Sequence, residues 1–62
     1  MPKIETNRAR IIKRLEQEGW TLARNGAEHD LWRREKAVVA VPRHRELSPG
    51  VARSIAKTAG WL

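Results

Sequence analysis

The spacing of apolar residues changes twice along this chain, dividing it into a helical start, an extended middle and a helical end. Ile11, Ile12 and Leu15, with the stem of Arg8, recur at intervals of three and four, the period of one helix face. Thr6 or Asn7 can cap this helix, which runs to about Glu18. Gly19 follows, suited to the left-handed conformation that ends a helix. Trp20, Leu22 and Arg24 then alternate with Thr21 and Ala23 as the two faces of a strand. Asn25-Gly26 predicts a two-residue hairpin turn, because both residues tolerate positive φ. The chain returns through His29–Arg34, and the polar Arg34-Glu35-Lys36 makes a second turn without glycine. Ala37–Val41 is continuously apolar, the pattern of a central or well-covered strand. Pro42 ends it, having no N–H for the ladder.

Arg43–Leu47 reads as a basic loop. Ser48-Pro49 then starts a helix, serine as the cap and proline at the first helical position. Val51, Ile55 and Ala59 form its stripe, with Ala52 and Ala56 beside it. Gly60 ends it, and Trp61 and Leu62 are expected to fold back over the end of the core. The order predicts an α+β fold, a two-layer α-β-β-β-α domain over residues 1–62 with both helices on one sheet face. The other face is then free for a ligand or a partner.

Size sharpens these expectations. A domain of 62 residues buries only about 60% of the surface its unfolded chain exposes. With no cysteine, neither a disulfide nor a thiolate zinc site can staple it. A few apolar side chains must supply the core, or a partner must share it. Trp20 and Trp61 are expected in that core. Trp32 shares a face with Asp30, which leaves its place open. Pro2, Lys3 and Glu5 interrupt any early apolar run, so no signal peptide is expected. The longest apolar run, Ala37–Pro42, is too short to span a bilayer. A cytoplasmic location without membrane association is the expectation.

Thirteen Lys and Arg against seven Asp and Glu give a formal charge of +6. Nine of the thirteen are arginine, which favours planar, bidentate phosphate contacts. Residues 1–31 carry a net +1 and residues 32–62 a net +5. A basic half on so small a protein attracts polyanions, nucleic acid first among them, with an acidic protein face as the other choice.

The residues able to carry chemistry are few. Only His29 and His44 titrate near neutrality by type, and there is no tyrosine or cysteine. Two histidines at separate loop addresses match no metal-ligand spacing. No glycine-rich phosphate loop appears, so neither a metal nor a nucleotide cofactor is expected. RNA carries its own nucleophile, the 2′-hydroxyl. Cutting it needs a base for that proton, an acid for the 5′-oxygen, and cations for the phosphorane. His29 is the candidate for proton transfer, although the residues alone are also compatible with a plain polar strand end. Asp30 alternates to the opposite sheet face and is poorly placed to orient the imidazole; Glu28 can swing closer or only contribute local charge. Arg43-His44-Arg45, with the Ser48, Gly50 and Val51 amides, suggests a phosphate cradle. A solvated basic loop is the plainer alternative.

The ordered set of these pieces resembles the HicA toxins of bacterial and archaeal toxin–antitoxin pairs, small messenger-RNA interferases. The resemblance runs through Gly19-Trp20, Leu22 and Arg24, then His29-Asp30-Leu31-Trp32. It continues through Val39–His44 and Glu46-Leu47, and closes with Lys57-Thr58-Ala59-Gly60. It implies a fold similar to the double-stranded-RNA-binding domain, endoribonuclease activity centred on His29, and a HicB-type antitoxin as partner. The RNA contacts expected on this reading are Arg24, Arg33, Arg43, His44, Arg45 and Lys57. One departure stands out: Ala27 occupies a place where the family often has glycine or serine, and Glu28 sets a negative charge beside the histidine. The alternatives are a basic RNA- or DNA-binding module without catalysis, and a structural subunit holding an acidic partner.

Overall fold

A computed structural model describes residues 4–62. Its elements are α1 (Arg8–Gln17), β1 (Thr21–Asn25), β2 (His29–Arg34), β3 (Ala37–Pro42) and α2 (Pro49–Ala59). The strands form one antiparallel sheet in the order β1-β2-β3. Both helices contribute to a single core against one sheet face. This is the expected two-layer α-β-β-β-α arrangement, and it is consistent with the fold of the double-stranded-RNA-binding domain. Among the described residues no helix is long and apolar enough to cross a membrane.

The helix ends follow from local chemistry. The Asn7 side chain accepts a hydrogen bond from the Arg10 N–H at 3.1 Å and caps α1, a contact worth about 1 kcal/mol. Thr6, the other candidate cap, instead donates its hydroxyl to Glu46 at 2.8 Å. Gly19 takes φ +89° after α1, and Gly60 takes φ +83° after α2, where a side chain would be strained. Ser48 accepts from the Val51 N–H at 3.3 Å, with Pro49 opening α2.

The covered face of the sheet carries Trp32, Val39 and Val41, packed on Ile11 and Leu15 of α1 and on Ala52, Ile55 and Ala59 of α2. Trp20 and Leu47 complete this core. Trp32, whose place the sequence left open, is therefore core, and Trp61 packs against the core margin. Leu62 does not join it and is 59% exposed. After Gly60 the chain turns back once, through the bond from the Trp61 N–H to the Ala56 carbonyl at 2.7 Å, and only Trp61 gains cover.

One further expectation narrows and two change. Of the two places its apolar run suggested, β3 takes the well-covered one and not the central one, Val39 and Val41 being buried while short turns on both sides put β2 in the middle. The continuous apolar run of β3 reflects α2 lying over its Val39 and Val41, while Val38 on the other face is 49% exposed. The first hairpin does not turn at Asn25-Gly26. Asn25 pairs with Asp30, and the Gly26 N–H reaches the His29 carbonyl at 3.0 Å, so the chain reverses at Ala27-Glu28. Gly26 does not take positive φ. Its need for glycine is steric, since a Cβ there would collide with the His29 carbonyl. Finally, β1 does not alternate cleanly. A register shift between Leu22 and Arg24 sets Leu22 opposite Trp32 but Arg24 opposite Leu31. Arg24 therefore leaves the face of Leu22 and joins that of Leu31.

Candidate functional site

Alternation along β2 sorts its residues. Asp30 and Trp32 face the helices, while His29, Leu31 and Arg33 face the open side. His29 lies at the strand's first position, opposite Pro42 at the last position of β3. The bond from the Arg43 N–H to the Glu28 carbonyl, 3.1 Å, carries the pairing one step beyond. The histidine thus stands where the β1–β2 turn and the loop after β3 leave the sheet side by side.

Two clefts meet at His29. One, about 390 Å³, is lined by Arg24, Gly26, Ala27, Glu28, His29 and Leu31. The other, about 360 Å³, is lined by Ala27, Glu28, His29, Pro42, Arg43 and His44. A third hollow of about 440 Å³ continues past Arg43 to Arg45, Arg8, Asn7 and Ala9 at the start of α1. Arg24, His29, Arg43, His44 and Arg45 therefore gather at one end of the sheet. The β1 bulge brings Arg24 to this group, a step that plain alternation denies it.

Two of the expected contacts lie elsewhere. Arg33 shares the open face but sits further along β2, where its Nε donates to the Glu35 carbonyl at 2.9 Å. Lys57 lies in the last turn of α2, in the helical layer, and lines none of the three hollows. At the start of α2 the Val51 amide is taken by Ser48, which leaves less of a phosphate cradle there than the sequence suggested.

The support beneath the site is an ion-pair network. Asp30 is buried, 8% exposed, on the covered face. Its Oδ2 accepts from Arg8 Nη2 at 2.7 Å, and its Oδ1 accepts from Arg43 Nε at 3.1 Å and Nη2 at 2.8 Å. Arg8 Nε also donates to the Pro42 carbonyl at 2.9 Å. A buried carboxylate is tolerated because two guanidiniums compensate it. The same contacts tie α1 to the end of β3. The loop after β3 is further fixed by the Arg8 N–H to the Arg45 carbonyl (3.0 Å), the Leu47 N–H to the Thr6 carbonyl (2.8 Å), and the Asn7–Glu46 bridge.

Sequence reading missed Arg8 and the inward pairing of Arg43. A signal was present. Arg8 falls on the apolar stripe of α1, and Asp30 falls on the core face of β2 by alternation from Trp32. Two opposite charges each at a core position call for each other.

Among the described residues no three His, Cys, Asp or Glu side chains cluster as metal ligands. Neither His29 nor His44 makes a side-chain hydrogen bond within the described residues. Both imidazoles are exposed, with their nitrogens open to an incoming group.

Residues 8–61 match a family described as the HicA toxin of bacterial toxin–antitoxin systems. The chain belongs to the HicA toxin family. The matched segment spans every helix and strand of the fold, from Arg8 at the start of α1 to Trp61 beyond α2. No curated protein matches the chain. Within this HicA toxin fold, the end of the sheet that carries His29 is the one where Arg24, Arg43 and His44 border its clefts.

Proposed function

We propose that this HicA chain is an endoribonuclease that cleaves messenger RNA without a metal ion, with His29 in proton transfer. The observation that carries the reading is the placement of an unbonded imidazole between two clefts, one lined by Arg24 and the other by Arg43, with Arg45 in the adjoining hollow. Cleavage begins when a base takes the 2′-hydroxyl proton. O2′ attacks phosphorus, the bond from phosphorus to the 5′-oxygen breaks, and an acid protonates that oxygen. The products are a 2′,3′-cyclic phosphate and a 5′-hydroxyl. Histidine can serve either proton step near neutral pH. Arg24 and Arg45, unpaired among the described residues, are the cations that steady the phosphorane. Arg43 contributes partial charge while bound to Asp30, and His44, Arg33 and Lys57 are the remaining proposed RNA contacts. As a toxin of this family acting in the cytoplasm, the chain is held by a HicB-type antitoxin.

The test is incubation of purified protein with labelled single-stranded RNA in EDTA, beside a folded His29→Ala variant. Cleavage by the native chain alone is the expected result. Intact RNA in both, with salt-sensitive binding retained, supports instead a binding module without catalysis. No binding at all supports a subunit that only holds an acidic partner.

A further inference from the structure

Resting on the reading of His29 just given, we propose that His44 is the second proton-transfer group of the cleavage. RNA cleavage through the 2′-hydroxyl needs two proton transfers on opposite sides of one phosphorus. The chain has neither cysteine nor tyrosine. The cleft between the β1–β2 turn and the loop after β3 is lined by both histidines of the sequence, together with Ala27, Glu28, Pro42 and Arg43. His29 is paired directly with Pro42, and His44 follows Pro42 by two residues. His44 therefore lies just beyond the paired end of β3, and both rings border the one cleft in which a phosphodiester would sit.

The backbone around His44 is held on both sides. On one side the Arg43 N–H bonds Glu28 and the Arg43 side chain bonds Asp30. On the other the Arg45 carbonyl accepts from the Arg8 N–H. The imidazole itself is bonded to nothing among the described residues. A fixed backbone carrying an open side chain is how a group is positioned for chemistry in advance. A solvated loop histidine needs no such anchoring. Glu28 is the one other proton acceptor in the cleft. The charged groups that share a cleft with the rings are Glu28 from the turn, Arg24 from β1 beside His29, and Arg43 from the loop, its guanidinium held on Asp30; Arg45 lies in the adjoining hollow.

The bookkeeping closes without a further reactant. One imidazole takes the 2′-hydroxyl proton as O2′ bonds to phosphorus. The other, as imidazolium, gives its proton to the departing 5′-oxygen. Proton exchange with the solvent then returns each imidazole to its starting state.

The experiment is a pH–rate profile of RNA cleavage in EDTA for the native chain and the His29→Gln, His44→Gln, Glu28→Gln and Arg45→Gln variants. Folding of each is checked by circular dichroism. The native profile should be bell-shaped, one limb per histidine. His44→Gln should fall by about 100-fold or more at the optimum and lose one limb. Glu28→Gln and Arg45→Gln should keep both limbs. A second substrate carries sulfur in place of the scissile 5′-oxygen, and thiolate leaves without a proton. One of the two histidine variants, not both, should recover on it. His44→Gln that keeps both limbs, whatever its rate, overturns the proposal and makes His44 a phosphate contact. A native profile with a single limb, or recovery of both or neither variant on the sulfur substrate, overturns it as well. Failure of the underlying reading looks different: RNA is left uncut by the native chain, or cut undiminished by His29→Gln.

Discussion

The two ends of the sheet use the same residue types to opposite effect. At the end where α1 finishes, Glu18, Arg14 and Arg34 are spent on their neighbours. Glu18 accepts from Trp61 Nε1 at 2.7 Å and from Arg14 Nε at 3.1 Å, and its carbonyl accepts from Arg34 at 3.2 Å. Arg14 lies 4.3 Å from the centre of the Trp61 ring, and Arg34 lies 4.8 Å from that of Trp20. At the His29 end the pairing is one layer down, at Asp30, and the outward groups His29, His44, Arg24 and Arg45 are left open. The first end closes the fold over its small core. The second withholds partners from the residues that an RNA phosphate would meet. A basic charge balance alone does not separate these roles, since arginines populate both ends.

The largest expected effect tests the open end directly. His29→Ala should lower RNA cleavage by about 100-fold or more, with melting temperature unchanged, because the exposed imidazole makes no bond in the fold. Gel assays of labelled RNA give the rate and circular dichroism the stability. An unfolded His29→Ala would erase the distinction between the ends, since the residue would then be structural.

Next in size is Asp30→Ala. It leaves Arg8 and Arg43 without their shared anion. Breaking a fully buried pair costs about 3–5 kcal/mol, and partial exposure of both guanidiniums here reduces that to about 2 kcal/mol. Urea unfolding measures the loss. Cleavage at a temperature where the variant stays folded should also fall, because Arg43 and the loop of His44 lose their anchor. A loss under about 0.5 kcal/mol, the scale of an exposed pair, would show that the open end does not rest on this network.

How far the sequence foretold this arrangement depended on which interactions are local. Helix ends were legible because capping is settled within a few residues, as at Asn7, Ser48, Gly19 and Gly60. The succession of three antiparallel strands was legible because short turns favour a meander, but the apolar run of Ala37–Val41 also suited a central strand, and β3 lies at the edge. The bulge in β1 was not legible, since Ala23 carries no sign of it, and only its consequence for Arg24 gives it away. The turn at Ala27-Glu28 was missed because Asn25-Gly26 is the stronger local signal, and the steric demand on Gly26 comes from the His29 carbonyl across the hairpin. At the candidate site, His29 and Arg43-His44-Arg45 were visible as residue types. Their convergence, and the inward turn of Arg43 onto Asp30, depend on the pairing of β2 with β3 and on Arg8 from α1.

At the closed end, Trp61→Phe keeps an aromatic ring beside Arg14 and removes the indole donor to Glu18. The expected loss is about 1 kcal/mol, read from urea unfolding. RNA cleavage should be unchanged. A matching drop in cleavage would couple the two ends and weaken the contrast between them.

The smallest expected effect is one of pH. The hydrogen bond from Trp61, followed by the bond and charge of Arg14 and the charge of Arg34, holds the Glu18 carboxyl below its ordinary value of 4.5, against the opposing effect of burial. A carboxylate whose pKa is lower folded than unfolded binds fewer protons in the folded state. Its stabilisation is complete above the unfolded value and is lost as pH falls through the folded one. Glu18→Gln should therefore be less stable than the native chain at pH 7, and the gap should narrow steadily below about pH 4.5. Melting temperatures of both chains from pH 7 down to pH 3 measure it. Cleavage profiles of the two should coincide, because Glu18 lies at the end of the sheet away from His29. A gap that stays constant down to pH 3 would mean that the carboxylate charge contributes nothing, and that Trp61 is held there by packing alone.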